Sequence, residues 1–157
     1  MTYRLSLMVA TGCGLGYLPA APGTFASIAA ALVYYGAYLR TGGIPPDVHV
    51  SALGAITVLG VLASDNVVRN RGLHDPSFIV IDEIAGQLAS FVLLPVRPSL
   101  ILAGVILFRI FDIWKPFGIR RLESLENGVG VLADDLAGGL LTCALLHAAY
   151  RLFTAWC

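Results

Sequence analysis

The stretch SLILAGVILFRIFDIW, Ser99 to Trp114, decides the fold class. Its first ten residues carry no charge, and charged residues enter only with Arg109 and Asp112. The run shows no alternation of apolar and polar residues, and it is longer than a strand of a membrane barrel. We therefore predict a helix that lies within a membrane.

Four more apolar runs have the same character. They are rich in Ala, Leu and Gly, and several fall below the usual length of a membrane helix, which is about 17 to 25 residues. A Gly- and Pro-rich segment, Gly12 to Gly23, precedes them. We expect an all-α fold, a small polytopic membrane bundle with a Gly/Pro-rich N-terminal loop and about five apolar helices: Thr24 to Leu39, Val50 to Ser64, Ile79 to Leu94, Ser99 to Trp114 and Leu136 to Phe153.

Composition supports a membrane protein and excludes several other classes. The chain has 157 residues, which predicts a single domain over residues 1–157. Hydrophobic residues make up 57% and charged residues 13%, whereas soluble domains carry about 25% charge. Ten acidic residues balance ten basic ones, so no basic excess is left to bind nucleic acid. Three cysteines without CxxC spacing argue against a disulfide framework and a zinc site.

Basic residues predict the orientation of the bundle. If the five runs cross the membrane in alternation, one side holds six basic residues and the other holds three. The positive-inside rule places the first side in the cytoplasm. The first set is Arg4, Arg69, Arg71, Lys115, Arg120 and Arg121, and the second is Arg40, Arg97 and Arg151.

Carboxylates are scarce, and five of them are predicted to converge. Asp82 and Glu83 lie near the start of the third run, Asp112 near the end of the fourth, and Asp134 with Asp135 just before the fifth, so all five belong to the cytoplasmic side. Each would cost roughly 3 kcal/mol if left unpaired in lipid. Oxygen ligands in this number suit Mg²⁺ or Mn²⁺, which makes all five candidate metal ligands. The alternative is that they pair with neighbouring basic residues.

Two further stretches point to phosphate binding. Gly14 to Thr24 leads into the first apolar helix, where a helix N-terminus beside the Thr24 hydroxyl could hold an anionic oxygen. In FRIFDIWKP, Phe108 to Pro116, helical spacing places Asp112 on one face with Arg109 and Lys115, before Pro116 ends the helix. Two cations beside a carboxylate suit a phosphate next to a metal. Simpler interpretations are a capped turn, with Thr24 as N-cap, and an interfacial anchor with an internal ion pair.

Four segments resemble one known family. The chain is similar to bacterial phosphatidylglycerophosphatase A, a membrane-bound, Mg²⁺-dependent lipid phosphatase. The segments keep the order of the family, and none of the five acids is missing; departures such as Ala26, Gly118 and Leu132 concern packing and loop shape. The segments are GLGYLPAAPGTFAS at Gly14 to Ser27, DPSFIVIDEIAG at Asp75 to Gly86, FRIFDIWKPFGI at Phe108 to Ile119 and NGVGVLADDLAG at Asn127 to Gly138.

The resemblance implies an activity and a set of roles. The expected reaction is hydrolysis of the terminal phosphomonoester of phosphatidylglycerol phosphate, which yields phosphatidylglycerol and inorganic phosphate at the cytoplasmic face of the bacterial inner membrane. We expect Mg²⁺ as cofactor and a phospholipid as substrate. The catalytic candidates are Asp82, Glu83, Asp134 and Asp135, and Thr24, Arg109 and Lys115 would bind the substrate. Our hypothesis is attack by a metal-activated water, with Asp134 or Asp135 as base; direct attack by a carboxylate is the alternative.

Other functions remain open from the residues alone. A small proton- or cation-coupled transporter could use the same acids as a relay, although a relay needs acids across the bilayer. A CDP-alcohol phosphotransferase would need a DGxxAR opening, which is absent after Asp82. A structural membrane subunit would leave the acids unexplained. The short runs are compatible with a homo-oligomer.

Overall fold

The computed structural model describes residues 1–73, 76–124 and 127–156, and every regular element within them is helical. The side chains of residues 120, 123, 124, 127 and 156 lie outside this description. Two 3-10 segments, Leu15–Tyr17 and Pro116–Ser124, join α-helices. The α-helices are α1 (Tyr3–Ala10), α2 (Pro22–Thr41), α3 (Pro46–Arg71), α4 (Ile81–Ala89), α5 (Pro98–Trp114) and α6 (Asn127–Trp156).

The predicted all-α class is confirmed, but the predicted number of about five apolar membrane helices is not. Among the described residues, two helical segments are long and apolar enough to cross a membrane, Pro46–Arg71 and Gly128–Ala155. The third predicted run, Ile79 to Leu94, contains only the nine residues of α4. At 1.5 Å per residue, α4 spans about 14 Å, too short for a bilayer. A turn over residues 90–93 ends the helix, with Leu93 at φ 57°.

A second correction concerns the start of the last helix. The sequence placed Asp134 and Asp135 just before a helix that begins at Leu136, whereas α6 begins at Asn127 and carries both acids within it. Its first turns are stabilised by tertiary packing, because Leu132 is buried with Ala63 of α3. Asp134 and Asp135 therefore project from a helix into the interior, and both side chains are buried.

Two groups of buried side chains hold the bundle together. The first joins α1, α3, the start of α4 and α6, and the second joins α2, α6 and the turn after α4. The first group is Ala10, Ala63, Val67, Ile79, Ile81, Ala85 and Leu132, and the second is Ala31, Tyr34, Phe91, Leu94 and Leu146.

Short helix α4 lies in the centre of the molecule. Side chains of neighbouring helices donate hydrogen bonds to carbonyl oxygens at its C-terminal end and in the turn that follows. His49 Nε2 of α3 donates to Leu88 O at 3.1 Å, and His147 Nε2 of α6 donates to Val92 O at 3.0 Å. Cys143 Sγ donates to Val92 O as well, at 3.2 Å. Irregular backbone at membrane depth needs such partners. The packing therefore holds α4 in place, with its first turn directed at the candidate site.

Candidate active site

A cavity of about 580 Å³ lies at one end of the bundle, where α2, α4 and α6 begin and α5 ends. Thr24 of α2, Arg109 of α5 and Lys115, directly after α5, line it. So do all five of the acids singled out from the sequence: Asp82, Glu83, Asp112, Asp134 and Asp135. The structure thus brings all eight candidate residues into one cavity.

Three of the acids form a compact group. Asp82 and Glu83 stand in the first turn of α4, and Asp135 projects from α6. One carboxylate oxygen of each lies within 4.8 Å of the other two. Asp82 and Asp135 are 9% and 3% exposed, so little water reaches them to screen their repulsion. The predicted convergence is confirmed for these three side chains.

The compact group fits a hard cation. Glu83 Oε2 and Asp135 Oδ2 are buried, and neither has a hydrogen-bond partner within the described parts of the chain. Buried anionic oxygens without donors are costly, and a divalent cation offsets that cost. All the donors are carboxylate oxygens, the ligands that Mg²⁺ and Mn²⁺ prefer. Asp82, Glu83 and Asp135 are therefore suited to hold such an ion.

Asp112 is held by an arginine of its own helix. Arg109 Nη1 lies 2.6 Å from Asp112 Oδ2 and 3.9 Å from Glu83 Oε1. Both partners of the close pair are largely buried, with side chains 17% and 13% exposed. The ion pair suggested by the i, i+3 spacing is thus present, and Arg109 also borders the compact acid group.

Lys115 forms an ion pair with Asp134, which connects the end of α5 to α6. The chain turns sharply at Lys115, which has φ 47° and whose backbone N–H donates to Phe111 O at 2.7 Å. Helix α5 ends just before Pro116, as the sequence predicted. The Lys115 side chain lines the cavity. Asp134 Oδ1 is buried and has no hydrogen-bond partner among the described residues.

The N-terminus of α2 forms another wall. The helix starts at Pro22 with Ala21 as N-cap, so Thr24 lies in its first turn and is not the cap. A Cβ atom added at Gly23 would lie 1.9 Å from Glu83 Oε1. Glycine therefore allows the helix backbone to contact the carboxylate. The sequence predicted an anion-binding helix N-terminus near Thr24, but the contact of Gly23 with Glu83 emerges only from the fold.

Sequence reasoning missed the wall formed by α3 and the segment before α4. Val68, Ser77 and Ile79 line the cavity between the acids and the end of α3. Val68 and Ile79 are ordinary apolar residues, and no local pattern distinguishes them from core positions. The matching segment DPSFIVIDEIAG begins at Asp75, which lies outside the described residues.

Comparisons with known proteins relate the chain to one family of enzymes. The family model for phosphatidylglycerophosphatase A matches residues 8–150. A protein of Bacteroides thetaiotaomicron, to which a phosphatidylinositol-3-phosphatase activity is provisionally assigned, is 32% identical over 92% of this chain and 93% of its own length.

Two relatives are named phosphatidylglycerophosphatase A. The Escherichia coli protein is 31% identical over 89% of this chain and 80% of its own length. The Haemophilus influenzae protein is 36% identical over 90% of this chain and 86% of its own length. No solved structure matches the chain. A family model that spans the cavity residues, together with relatives aligned over most of the chain, shows that the protein is a phosphatase of the phosphatidylglycerophosphatase A family.

Proposed function

We propose that this protein hydrolyses the terminal phosphomonoester of phosphatidylglycerol phosphate in a Mg²⁺-dependent reaction, with the cavity at the cytoplasmic face of a bacterial inner membrane. The products are phosphatidylglycerol and inorganic phosphate. The observation that carries the proposal is the compact group of Asp82, Glu83 and Asp135 beside Arg109 and Lys115 in one cavity.

The charges in the cavity favour a metal-dependent reaction. Five carboxylates line it with only two cationic side chains among the described residues, so three negative charges remain if all the acids are ionised. A phosphomonoester dianion would be repelled by this surplus. Asp82, Glu83 and Asp135 would hold Mg²⁺, which would offset the negative charge of the phosphate and activate the attacking water.

The protein's own residues would then orient the phosphate and accept the proton. Arg109 and Lys115 bring two positive charges to the cavity wall, which favours a trigonal phosphoryl group whose charge is spread over three oxygens. Asp134 is the better candidate base, because Lys115 holds its Oδ2 while its buried Oδ1 remains able to accept a proton. Water adds to phosphorus, the bond from phosphorus to the glycerol oxygen breaks, and that oxygen takes up a proton.

The surface of the bundle suits a lipid substrate. Apolar side chains of α2 and α5 point outward, among them Val33 at 73% exposed and Leu102 at 62%. Ile113 lines the cavity and is itself 69% exposed, so apolar surface reaches the cavity mouth. Acyl chains could thus remain in the bilayer while the head group enters the cavity. A transporter is not favoured, because the acids gather at one end of the bundle.

The two lipids that the names of the relatives indicate as substrates have the same arrangement of phosphate groups. Phosphatidylglycerol phosphate and phosphatidylinositol 3-phosphate each carry a phosphodiester next to the diacylglycerol and a phosphomonoester on the polyol. We favour the glycerol compound, because two of the relatives carry its name.

The first test measures phosphate release from both lipids in detergent micelles, with Mg²⁺ or with EDTA. We expect wild-type activity on phosphatidylglycerol phosphate to need the metal. Asp82→Asn and Asp135→Asn should each lower the activity at least about 100-fold, because loss of even an outer-shell partner of a metal costs about 10- to 100-fold. Asp47→Asn is the matched control, because Asp47 is exposed at the start of α3.

Three outcomes would contradict the proposal. A folded wild-type protein that releases no phosphate with Mg²⁺ or Mn²⁺ refutes the activity. Full activity in both Asn variants refutes the metal site. A higher kcat/KM on phosphatidylinositol 3-phosphate refutes the assigned substrate. Trapping of a covalent phosphoenzyme would replace the water mechanism with attack by a carboxylate.

A further inference from the structure

Arg71, the last residue of α3, is held in place by aromatic side chains. Its Nε donates a hydrogen bond of 2.6 Å to Tyr3 OH of α1. Its guanidinium lies over the ring of Phe78, 4.9 Å from the centroid. The ring of Tyr17 stacks on the ring of Phe78, and their centroids are 5.9 Å apart. We call Arg71, Tyr3, Tyr17 and Phe78 the rim cluster.

Within the rim cluster, the side chain of Arg71 is exposed at the protein surface. Tyr3 occupies its Nε. No carboxylate within the described residues forms an ion pair with it, whereas Arg69, two positions earlier, pairs with Asp65 at 3.0 Å. Ordering a long arginine side chain costs conformational entropy. Tyr17 also forms a hydrogen bond with the guanidinium. A guanidinium that is stacked on an aromatic ring and anchored by tyrosine hydroxyls is oriented to bind a phosphate through its exposed end.

The four residues of the rim cluster do not line the catalytic cavity themselves, but their neighbours along the chain do. Val68, one helical turn before Arg71, lines the cavity, and so do Ser77 and Ile79, the residues on either side of Phe78. Arg71 also ends a helix that is long enough to cross a membrane. Arginine and tyrosine at such a helix end lie at the level of lipid head groups. The cluster is thus located where the part of a substrate between the cavity and the bilayer would pass.

We propose that Arg71 binds the phosphodiester of the lipid substrate while the terminal phosphomonoester occupies the cavity. The inference rests on the proposed function, because it takes a lipid with both phosphates as the substrate. One polyol unit separates the two phosphates, so the second anion stays close to the cavity mouth. Arg71 then selects lipids with a phosphodiester over phosphatidic acid, which carries only a phosphomonoester.

Steady-state kinetics on two lipids test this selection. Phosphatidylglycerol phosphate and phosphatidic acid are each presented at a fixed mole fraction in detergent; if phosphatidic acid reacts too slowly, its Ki as a competitive inhibitor replaces its KM. For Arg71→Gln we expect the KM of phosphatidylglycerol phosphate to rise about 10-fold, as for one lost charge-assisted hydrogen-bonded contact, with kcat unchanged. The KM, or the Ki, of phosphatidic acid should not change. Arg69→Gln is the matched control and should alter neither lipid.

A second variant separates binding from folding. Tyr3→Phe removes one of the acceptors that orient Arg71 but keeps the ring and the charge, so it should raise the KM of phosphatidylglycerol phosphate less than Arg71→Gln does. Thermal unfolding of each variant in detergent reports on the fold.

The outcomes distinguish this inference from the proposed function. An unchanged KM for phosphatidylglycerol phosphate in Arg71→Gln overturns the inference. An equal rise for both lipids also overturns it, because Arg71 would then bind phosphates of bulk lipid. A fall in kcat on both lipids with a lower unfolding temperature would assign Arg71 a structural role instead. If the wild type releases no phosphate from phosphatidylglycerol phosphate, the proposed function itself fails.

Discussion

Gly23 lies so close to the carboxylate of Glu83 that no side chain fits between them. The Cβ of an alanine would lie 1.9 Å from Glu83 Oε1 and 3.2 Å from Arg109 Nη1. Both neighbours are largely buried, and Glu83 belongs to the compact acid group. Because Gly23 has a hydrogen atom in place of a side chain, the start of α2 can form a wall of the cavity. The pair of residues shows how strongly the site depends on backbone contact.

We predict that Gly23→Ala abolishes most of the phosphatase activity. The added methyl group must displace the Glu83 carboxylate, and a misplacement of about 1 Å can cost about 100-fold in rate. Gly36→Ala is the control on the same helix, because a Cβ there meets nothing within 4 Å. Phosphate release as a function of Mg²⁺ concentration checks the prediction. Equal activity of the two variants would show that Glu83 has no role at its observed position.

Short α4 owes its position to close packing against α6. A Cβ added at Gly139 would lie 2.1 Å from Gly86 O and 3.0 Å from Ala89 Cβ. The two helices therefore cross with their backbones nearly in contact, as small residues allow in membrane bundles. Because α4 carries Asp82 and Glu83 and α6 carries Asp135, this crossing sets the distances within the compact acid group.

We expect Gly139→Ala to destabilise the fold and to reduce activity together. Overpacking at a tight contact costs about 1 to 3 kcal/mol, and the resulting shift of α4 relative to α6 would spread the three acids. Gly54→Ala is the matched control in the interior of α3, where a Cβ meets nothing and alanine favours the helix by up to about 1 kcal/mol. Thermal unfolding in detergent, followed by phosphate release, measures both effects. Unfolding temperatures that rise equally in the two variants would refute the close crossing.

At the scale of the whole molecule, the helix ends that carry chemistry all lie together. Helices α2, α4 and α6 start at the cavity and α5 ends there, while the connection from α2 to α3 lies at the other end. The basic residues follow the same division, with six predicted on the cavity side and three on the other. This asymmetry supports a cytoplasmic cavity.

Cysteine labelling checks this orientation. Cys13 is exposed in the turn after α1, close to the cavity end, and Cys143 is buried. In a Cys157→Ser background, a membrane-impermeant maleimide should label Cys13 in inverted membrane vesicles but not in intact spheroplasts. Asp47→Cys, made with Cys13→Ser and Cys157→Ser, serves as the control from the opposite end and should show the reverse pattern. Labelling of Cys13 in spheroplasts would place the cavity outside the cytoplasm.

The candidate site could be anticipated from the sequence to a considerable extent. Charged side chains are rare in an apolar chain, so each must find a partner or a ligand, and their positions near run ends predicted a shared location. Arg109 with Asp112 followed from helical spacing. The sequence did not show which three of the five acids would form the compact group, or that Asp134 would pair with Lys115, because both depend on contacts between distant segments.

The sequence by itself determined the helical class, the family and the end of the bundle at which the acids gather. Hydropathy, spacing and charge are properties of local segments, and they suffice for these conclusions. Only the tertiary structure decided that α4 stops after nine residues, that α6 extends back through Asp134 and Asp135, and that Gly23 faces Glu83. Helix ends and close backbone contacts are set by what packs against a segment, and that information is distributed over the whole chain.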